Sequence, residues 1–290
     1  MATDPWCDIT VVIVTYNSAH VINPCLESLR GTRHVVVVDN ASDDDIASVV
    51  CRALPHADFI RNPHNVGFGT AVNQGIARAT TPFALLLSPD TILSAAAVAR
   101  LRAAAAAYPD AGMIVPYLEN NQGAVELSWM GPFEHNHRPV PVPPEHPFCT
   151  WFVMAAVVLF PLSAWQRIGG FDEAIFLYGE DVDLCLRTTK AGHSLIVAPD
   201  ARAIHLGGQS SRVTWQSRWR RDWHMTWGHL YLERKHGNIG CAVREARALA
   251  VRHGLKTALY VALLNPKRVI GNLAKAAAAI AFLRGGKAHD

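Results

Sequence analysis

Acidic side chains gather at two nearby places in the chain, Asp172 and Glu173 first, then Glu180, Asp181 and Asp183. The second group opens an amphipathic stretch with Leu184, Leu186 and Arg187, so its carboxylates stand in the first turn of a predicted helix. A carboxylate fixed at such a point is a candidate general base for an acceptor hydroxyl. The same acids also complement a helix dipole, which requires no chemistry.

His205 leads into Leu206-Gly207-Gly208-Gln209-Ser210-Ser211-Arg212. Small residues let such a loop approach a diphosphate closely, with Ser210, Ser211 and Arg212 as its polar contacts. The imidazole of His205 could supply a nitrogen ligand to a divalent ion, with Asp90 as the oxygen companion. A single histidine is as readily structural.

The elements that must position these groups follow from apolar periodicity. Over residues 1–118, strands are expected at Ile9–Val14, Val35–Val38, Phe59–Ile60, Phe83–Leu87 and Met113–Val115. Helices are expected between them at Val21–Leu29, Asp44–Leu54, Thr70–Ala79 and Ala95–Ala107. This βαβα rhythm predicts a doubly wound, mostly parallel sheet flanked by helices.

Ligands collect at the carboxyl ends of such strands. The residues there are polar: Thr15-Tyr16-Asn17, Asp39-Asn40-Ala41-Ser42, Asn62-Pro63-His64-Asn65 and Ser88-Pro89-Asp90. Each alone could be a helix cap or a turn. No GxGxxG follows the first strand, which excludes a dinucleotide-binding dehydrogenase.

Asn120 to Pro147 is rich in Pro and His and reads as a long loop, whose histidines match no metal spacing. Trp151 to Phe160 reads as a buried strand, followed by a helical turn at Ser163–Ile168. Trp215, Trp219, Trp223 and Trp227 recur every four residues on one helix face, which either packs on the catalytic domain or lies at a membrane interface. Between Glu245 and Asp290 no acid opposes the basic side chains.

Of the 290 residues 50% are hydrophobic, enough for a sizeable core, and a net charge of +3 is too small to argue for nucleic acid. The cysteines, Cys7, Cys25, Cys51, Cys149, Cys185 and Cys241, show no zinc spacing and read as free, buried thiols in a reducing compartment. The acidic start, with Asp4 and Asp8, lacks a secretory pattern, and no apolar run reaches the roughly 18 residues of a spanning helix. A cytoplasmic protein is expected.

The motifs VVIVTYNS (Val11 to Ser18), VVVDNASDD (Val36 to Asp44), NPHNVGFGTAVNQG (Asn62 to Gly75), LLLSPD (Leu85 to Asp90), GGFDEAIFLYGEDVDLCLR (Gly169 to Arg187) and HLGGQSS (His205 to Ser211) stand in one order over about the first 215 residues. Together they resemble glycosyltransferase family 2, and within it the bacterial rhamnosyltransferase-like members. The resemblance implies a GT-A type α/β fold with a helical, basic C-terminal extension. It divides the chain into a catalytic domain over 1–214, with a nucleotide-binding half at 1–118 and an acceptor half at 119–214, and a helical region over 215–290.

The resemblance also implies roles. Thr15, Asn17 and Asp39 would bind a pyrimidine nucleoside, with Asp39 accepting from the base N3–H, and Tyr16, Asn40 and Ser88 would line the same nucleotide site. Asn65 and Gly67, with Asn73 behind them, would close over the nucleoside and phosphates. Asp90 is the last position of a DxD-type motif and would share Mg²⁺ or Mn²⁺ with His205, although Ser88 replaces the first acid. Asp181 would be the base, with Glu180 lying beside the acceptor or orienting the base, and Trp151 grouped with the phosphate and acceptor contacts.

The implied reaction is an inverting, metal-dependent transfer of L-rhamnose from dTDP-rhamnose to a cell-surface glycan or a polyprenyl-diphosphate-linked acceptor. A UDP-sugar donor and a non-catalytic nucleotide-sugar or lipid-carrier binding subunit are the alternatives. No nucleic-acid partner is expected, and the basic tail implies a peripheral place on the inner face of the plasma membrane.

Overall fold

The structure is a computed structural model that describes residues 4–126, 128–129, 143–206 and 214–288. In chain order its elements are β1 (Ile9–Thr15), α1 (Asn23–Ser28), β2 (Val35–Asp39), α2 (Ile46–Ala53), β3 (Asp58–Arg61), α3 (Phe68–Ile76), β4 (Phe83–Leu87), β5 (Thr91–Leu93), α4 (Ala95–Ala107) and β6 (Ala111–Glu119). They continue with β7 (Val125–Glu126), β8 (Phe148–Thr150), β9 (Val157–Pro161), α5 (Leu162–Ile168), α6 (Glu180–Lys190), β10 (Ser194–His205), α7 (Trp215–His236), α8 (Ile239–Ala262) and α9 (Pro266–Leu283).

Contacts divide the chain into two compact units. The first comprises 1–65, 70–171 and 184–211, and the second 66–69, 172–183 and 212–290. The first unit holds a mixed sheet in the order β3-β2-β1-β4-β9-β6-β10-β5, with β7 on β6 and β8 on β10. The β3-β2-β1-β4 half is parallel as expected, Thr15 pairing with Asp39 where β1 meets β2. Beyond β4 the order becomes mixed, because β9 enters antiparallel between β4 and β6 while β10 is parallel to β6.

Both faces of the parallel half are covered, so β1 and β2 are buried at every residue and could be written as continuous apolar runs. Ile22, Leu26 and Leu29, Ile46 and Val50, and Val98 and Leu101 pack against one face of the sheet. Local chemistry sets the helix ends. Ser94 accepts from Ala97 N at 3.2 Å to start α4, and Gly169, at φ +86°, stops α5 in the left-handed conformation.

Three expectations need correction. Only the second half of Trp151–Phe160 is strand, since Trp151 is 40% exposed and the chain pairs with β4 only from Val157. The Asn120–Pro147 loop contains a strand, because Asn120 Oδ1 accepts from Gln122 N and Ala124 N and turns the chain so that β7 pairs with β6. All six cysteines are free, but only Cys25 and Cys185 are buried, because apolar neighbours in sequence do not decide which face a thiol takes.

In the second unit α7, α8 and α9 pack through Phe176, Trp227, Leu230, Phe282 and a face of small residues, Ala242, Ala246, Ala278 and Ala279. Thr214 and Ser217 cap α7 reciprocally, Asn238 caps α8, and Asn265 followed by Pro266 starts α9. The C-terminal part of the tryptophan face of α7 turns inward, while Trp215 is exposed: Trp223, Trp227 and Tyr231 stack in succession, and Trp227 Nε1 donates to Gly286 O at 3.1 Å. Among the described residues no helix is long and apolar enough to cross a membrane.

Candidate active site

Parallel pairing brings the carboxyl ends of β1, β2 and β4 to one rim of the first unit. Asp39 ends β2 with no exposed surface. Its Oδ1 accepts from Ser42 N at 3.1 Å, while Oδ2 has no hydrogen bond among the described residues and lies 3.5 Å from Arg61 Nε. That spare acceptor is what a ligand N–H would complete.

Around it the backbone is tied down. Asn40 N donates to Thr15 O at 2.8 Å, and Asn62 N to Asp39 O at 2.9 Å. Asn40 Nδ2 donates to Asn65 Oδ1 at 2.8 Å, which joins the ends of β2 and β3. Asn17 and Ala41 sit at φ +55° and +64°, the first held by a bond from its N–H to Ser42 Oγ at 2.8 Å and another from Asp43 N to its own Oδ1 at 2.7 Å. Non-glycine residues kept in this region mark a loop whose shape its surroundings impose.

Asn73 stands one step back. Both ends of its amide are engaged by the Phe171 backbone, Nδ2 donating to Phe171 O at 3.0 Å and Oδ1 accepting from Phe171 N at 2.9 Å. It holds the Gly169-Gly170-Phe171 turn in place.

Asp90 and His205 meet where β5 pairs antiparallel with the end of β10, and Leu206 N donates to Asp90 O at 2.9 Å. His205 Nδ1 is 2.9 Å from Glu126 Oε2, and its Nε2 is 3.7 Å from Asp90 Oδ1. With the Glu126 carboxylate accepting from Nδ1, Nε2 is the nitrogen that faces Asp90. The gap is too long for a hydrogen bond but suits two ligands each about 2.1 Å from one cation. The donor set therefore fits a divalent ion, with Glu126 orienting the imidazole from behind. Among the described residues no group of three His, Cys, Asp or Glu side chains forms a closed cage, so a diphosphate and water would fill the remaining positions.

Ser88 lies on the same rim, its N–H donating to Ala156 O at 2.8 Å. Trp151 is exposed beside Phe152 at 5.6 Å between ring centroids. The proposed phosphate contacts Ser210, Ser211 and Arg212 lie outside the described residues.

The second unit sorts its own acids. Asp183, fully buried, faces Lys235 Nζ at 2.6 Å and His236 Nε2 at 2.7 Å. Asp172 Oδ2 accepts from Lys235 Nζ at 2.7 Å and from the Tyr231 hydroxyl at 2.8 Å. Burial alone would raise the Asp172 carboxyl, but the Lys235 ammonium, the Ala174 N–H and the Tyr231 hydroxyl outweigh it and hold it below the usual range.

Glu180 and Asp181 differ. Glu180 Oε2 is buried with no hydrogen-bond partner among the described residues, and Asp181 Oδ1 accepts from its neighbour Val182 N at 2.8 Å. Burial raises both carboxyls, and the Asp181 charge raises Glu180 further. Asp181 keeps an edge at the surface although the chain encloses most of it. Such a pair sheds one proton readily and the other reluctantly, which leaves Asp181 ionised beside a protonated Glu180. The helix start that carries them follows Tyr178 and Gly179 at φ +63° and +102°.

Gly67 belongs to this unit too. It adopts φ +89°, a Cβ there would meet Phe176 O at 2.6 Å, and the next residue, Phe68, donates its N–H to Phe176 O at 3.0 Å.

Sequence reasoning missed Arg61, Glu126, Lys235 and His236. Glu126 lay in a stretch taken for irregular loop, and Lys235 and His236 looked like ordinary cations at the end of a helix.

An α/β sheet with polar strand ends gathered on one rim, where Asp90 and His205 are placed as two donors for a cation, fits the GT-A type fold of sugar-transferring proteins. The comparisons agree. The profile of Glycosyl transferase family 2 matches residues 10–156, and that of Glycosyl transferase family group 2 matches 84–282. The chain belongs to glycosyltransferase family 2.

It is 28% identical over 230 residues to an N-acetylglucosaminyl-diphospho-decaprenol L-rhamnosyltransferase of Mycobacterium tuberculosis, a match covering 67% of this chain and 75% of the relative. It is 23% identical over 259 residues to rhamnosyltransferase WbbL of Escherichia coli K12, covering 78% and 92%. Among solved structures it resembles the mannosyltransferase PcManGT of Pyrobaculum calidifontis in complex with GDP-Man and Mn²⁺, with a TM-score of 0.58, 19% identity and coverage of 95% and 87%.

Proposed function

We propose that this glycosyltransferase moves L-rhamnose from dTDP-rhamnose, with inversion, onto a polyprenyl-diphosphate-linked or cell-surface glycan acceptor at the cytoplasmic face of the membrane. The observation that carries the catalytic part is the sorting of the acids. Lys235 faces both Asp172 and Asp183, with His236 also on Asp183, while Asp181 has no ion pair among the described residues and a raised affinity for protons. A carboxylate in that state can take a proton near neutral pH.

In this reading Asp181 accepts the proton of the acceptor hydroxyl as that oxygen bonds to the anomeric carbon, and the bond from that carbon to the departing diphosphate breaks in the same displacement. Glu180, protonated, stays neutral beside it. Asp39 accepts from the pyrimidine base, with Thr15, Tyr16, Asn17 and Asn40 around the nucleoside, Asn65 and Gly67 closing over it, and Ser88 beside the phosphates. Asp90 and His205 would hold Mg²⁺ or Mn²⁺, whose chemistry when bound is to neutralise charge on the leaving diphosphate.

The donor and acceptor rest on the names of the relatives, two of which are rhamnosyltransferases, one acting on a decaprenol-linked sugar. Region 215–290 is assigned to the membrane side, because its basic side chains continue between Glu245 and Asp290 where no acid occurs. The test is a product assay with dTDP-, UDP- and GDP-sugars and a polyprenyl-diphosphate-linked acceptor, read by mass. A product gaining a deoxyhexose only from dTDP-rhamnose is expected. A product from a UDP-sugar alone would replace the donor, and nucleotide binding without turnover for any donor would replace the enzyme by a binding subunit.

A further inference from the structure

Helix α8 is apolar on two sides. Ala242 and Ala246 are buried against its neighbours, as the core of the second unit requires. Yet Val251, Leu255 and Leu259, spaced by four, lie on the opposite side and are exposed, Leu255 at 70%. The stripe runs into the turn before α9, where Leu263 and Leu264 are exposed at 62% and 88%. Aliphatic side chains gathered this way on a soluble surface mark a contact site.

The turn is built to hold its shape. Leu264 sits at φ +51°, Asn265 Oδ1 accepts from Arg268 N at 3.2 Å, and Arg268 Nη1 donates to the Tyr260 hydroxyl at 3.0 Å. Arg252 and Lys256 flank the stripe along α8, and Lys267 and Arg268 follow the turn. No acid occurs from residue 246 to residue 289.

We infer that the tip of the α8–α9 hairpin is a membrane-insertion device. Leu263 and Leu264 enter the acyl boundary, the Val251-Leu255-Leu259 stripe lies in the interface, and the four cations meet anionic phospholipid headgroups. This deepens the membrane-surface part of the proposed function and rests on it. Charge selects the occupant. A two-fold contact with a second copy through this face would set the same cations against each other with no carboxylate to relieve them, whereas an anionic bilayer satisfies the leucines and the cations together.

The test is co-sedimentation of the whole chain with vesicles of phosphatidylcholine alone and of phosphatidylcholine with phosphatidylglycerol, at low and high salt. Wild-type protein is expected on the anionic vesicles, and L263E/L264E to bind them at least about tenfold more weakly, the loss of two inserted side chains. R252E/K267E is expected to lose anionic binding and its salt dependence while the leucines remain. Both variants change exposed side chains, and unchanged dTDP affinity in each shows that the rest of the chain is intact. Equal sedimentation of wild type and L263E/L264E overturns the inference, as does a wild-type dimer in light scattering that the leucine variant dissociates. A chain that binds vesicles but transfers no sugar leaves the inference standing and removes the catalytic reading instead.

Discussion

Lys235 Nζ lies 2.6 Å from Oδ1 of Asp183, a carboxylate with no exposed surface. The same ammonium is 2.7 Å from Asp172, so one side chain at the end of α7 compensates two acids. Replacing Lys235 by Met leaves His236 as the remaining ionic contact given for Asp183. The variant is expected to lose about 3 kcal/mol of stability, the usual cost of stranding a buried charge, read as a lower urea midpoint.

Asp181→Asn is expected to reduce turnover by about a thousandfold, within the span of general-base contributions. Affinity for dTDP should stay unchanged, since the substitution touches no proposed nucleotide contact. Asp183→Asn should instead lower the melting temperature, because it disturbs the pairing with Lys235 and His236. If Asp181→Asn retains the wild-type rate, the base is elsewhere.

The pH dependence has a definite sign. As the proposed base, Asp181 would act only when ionised, and burial raises its carboxyl, so turnover should fall as pH drops through a value above the ordinary carboxylate range. Stability moves the other way for Glu180. Its folded-state value is raised, so its contribution is greatest in acid, declines once pH passes the unfolded-chain value, and is fully lost above the folded one. Glu180→Gln should therefore raise the melting temperature near neutral pH and have little effect in acid.

Glu126 reaches His205 from behind at 2.9 Å. If Asp90 and His205 share a cation, Glu126→Gln should weaken Mn²⁺ binding in the presence of dTDP by about tenfold, the lower range for loss of an orienting carboxylate. His205→Ala should weaken it more. Electron paramagnetic resonance of free Mn²⁺ measures both without turnover, and unaltered binding in both variants would remove His205 from the site.

Gly67→Ala forces a Cβ to within 2.6 Å of Phe176 O at a backbone angle that L residues avoid. A loss of about 2 kcal/mol is expected from the strained conformation, measured by chemical denaturation.

The parallel half of the fold could be read from sequence because burial on both faces writes its strands as apolar runs, such as Ile9–Thr15 and Val35–Asp39. Asp39 and Asp90 stood out for the same reason, as polar residues just past those runs. Glu126 did not, since the two-residue strand that carries it has no periodicity. Lys235 was hidden because its partners Asp172 and Asp183 are more than fifty residues away in sequence, where no helical spacing points. The inward turn of the α7 tryptophans was undecidable for a related reason: a stripe of Trp on one face states that something covers it, and only the placement of α8 and α9 states what.

In the nucleotide-binding role proposed for Asp39, its second oxygen would act as a filter on nucleobases. An ionised carboxylate has lone pairs and no hydrogen to give, so it welcomes the imide edge of thymine or uracil and repels cytosine, whose ring nitrogen bears a lone pair at the corresponding atom. Cytidine diphosphate should therefore fail to compete with dTDP even at great excess, whatever sugar the donor carries.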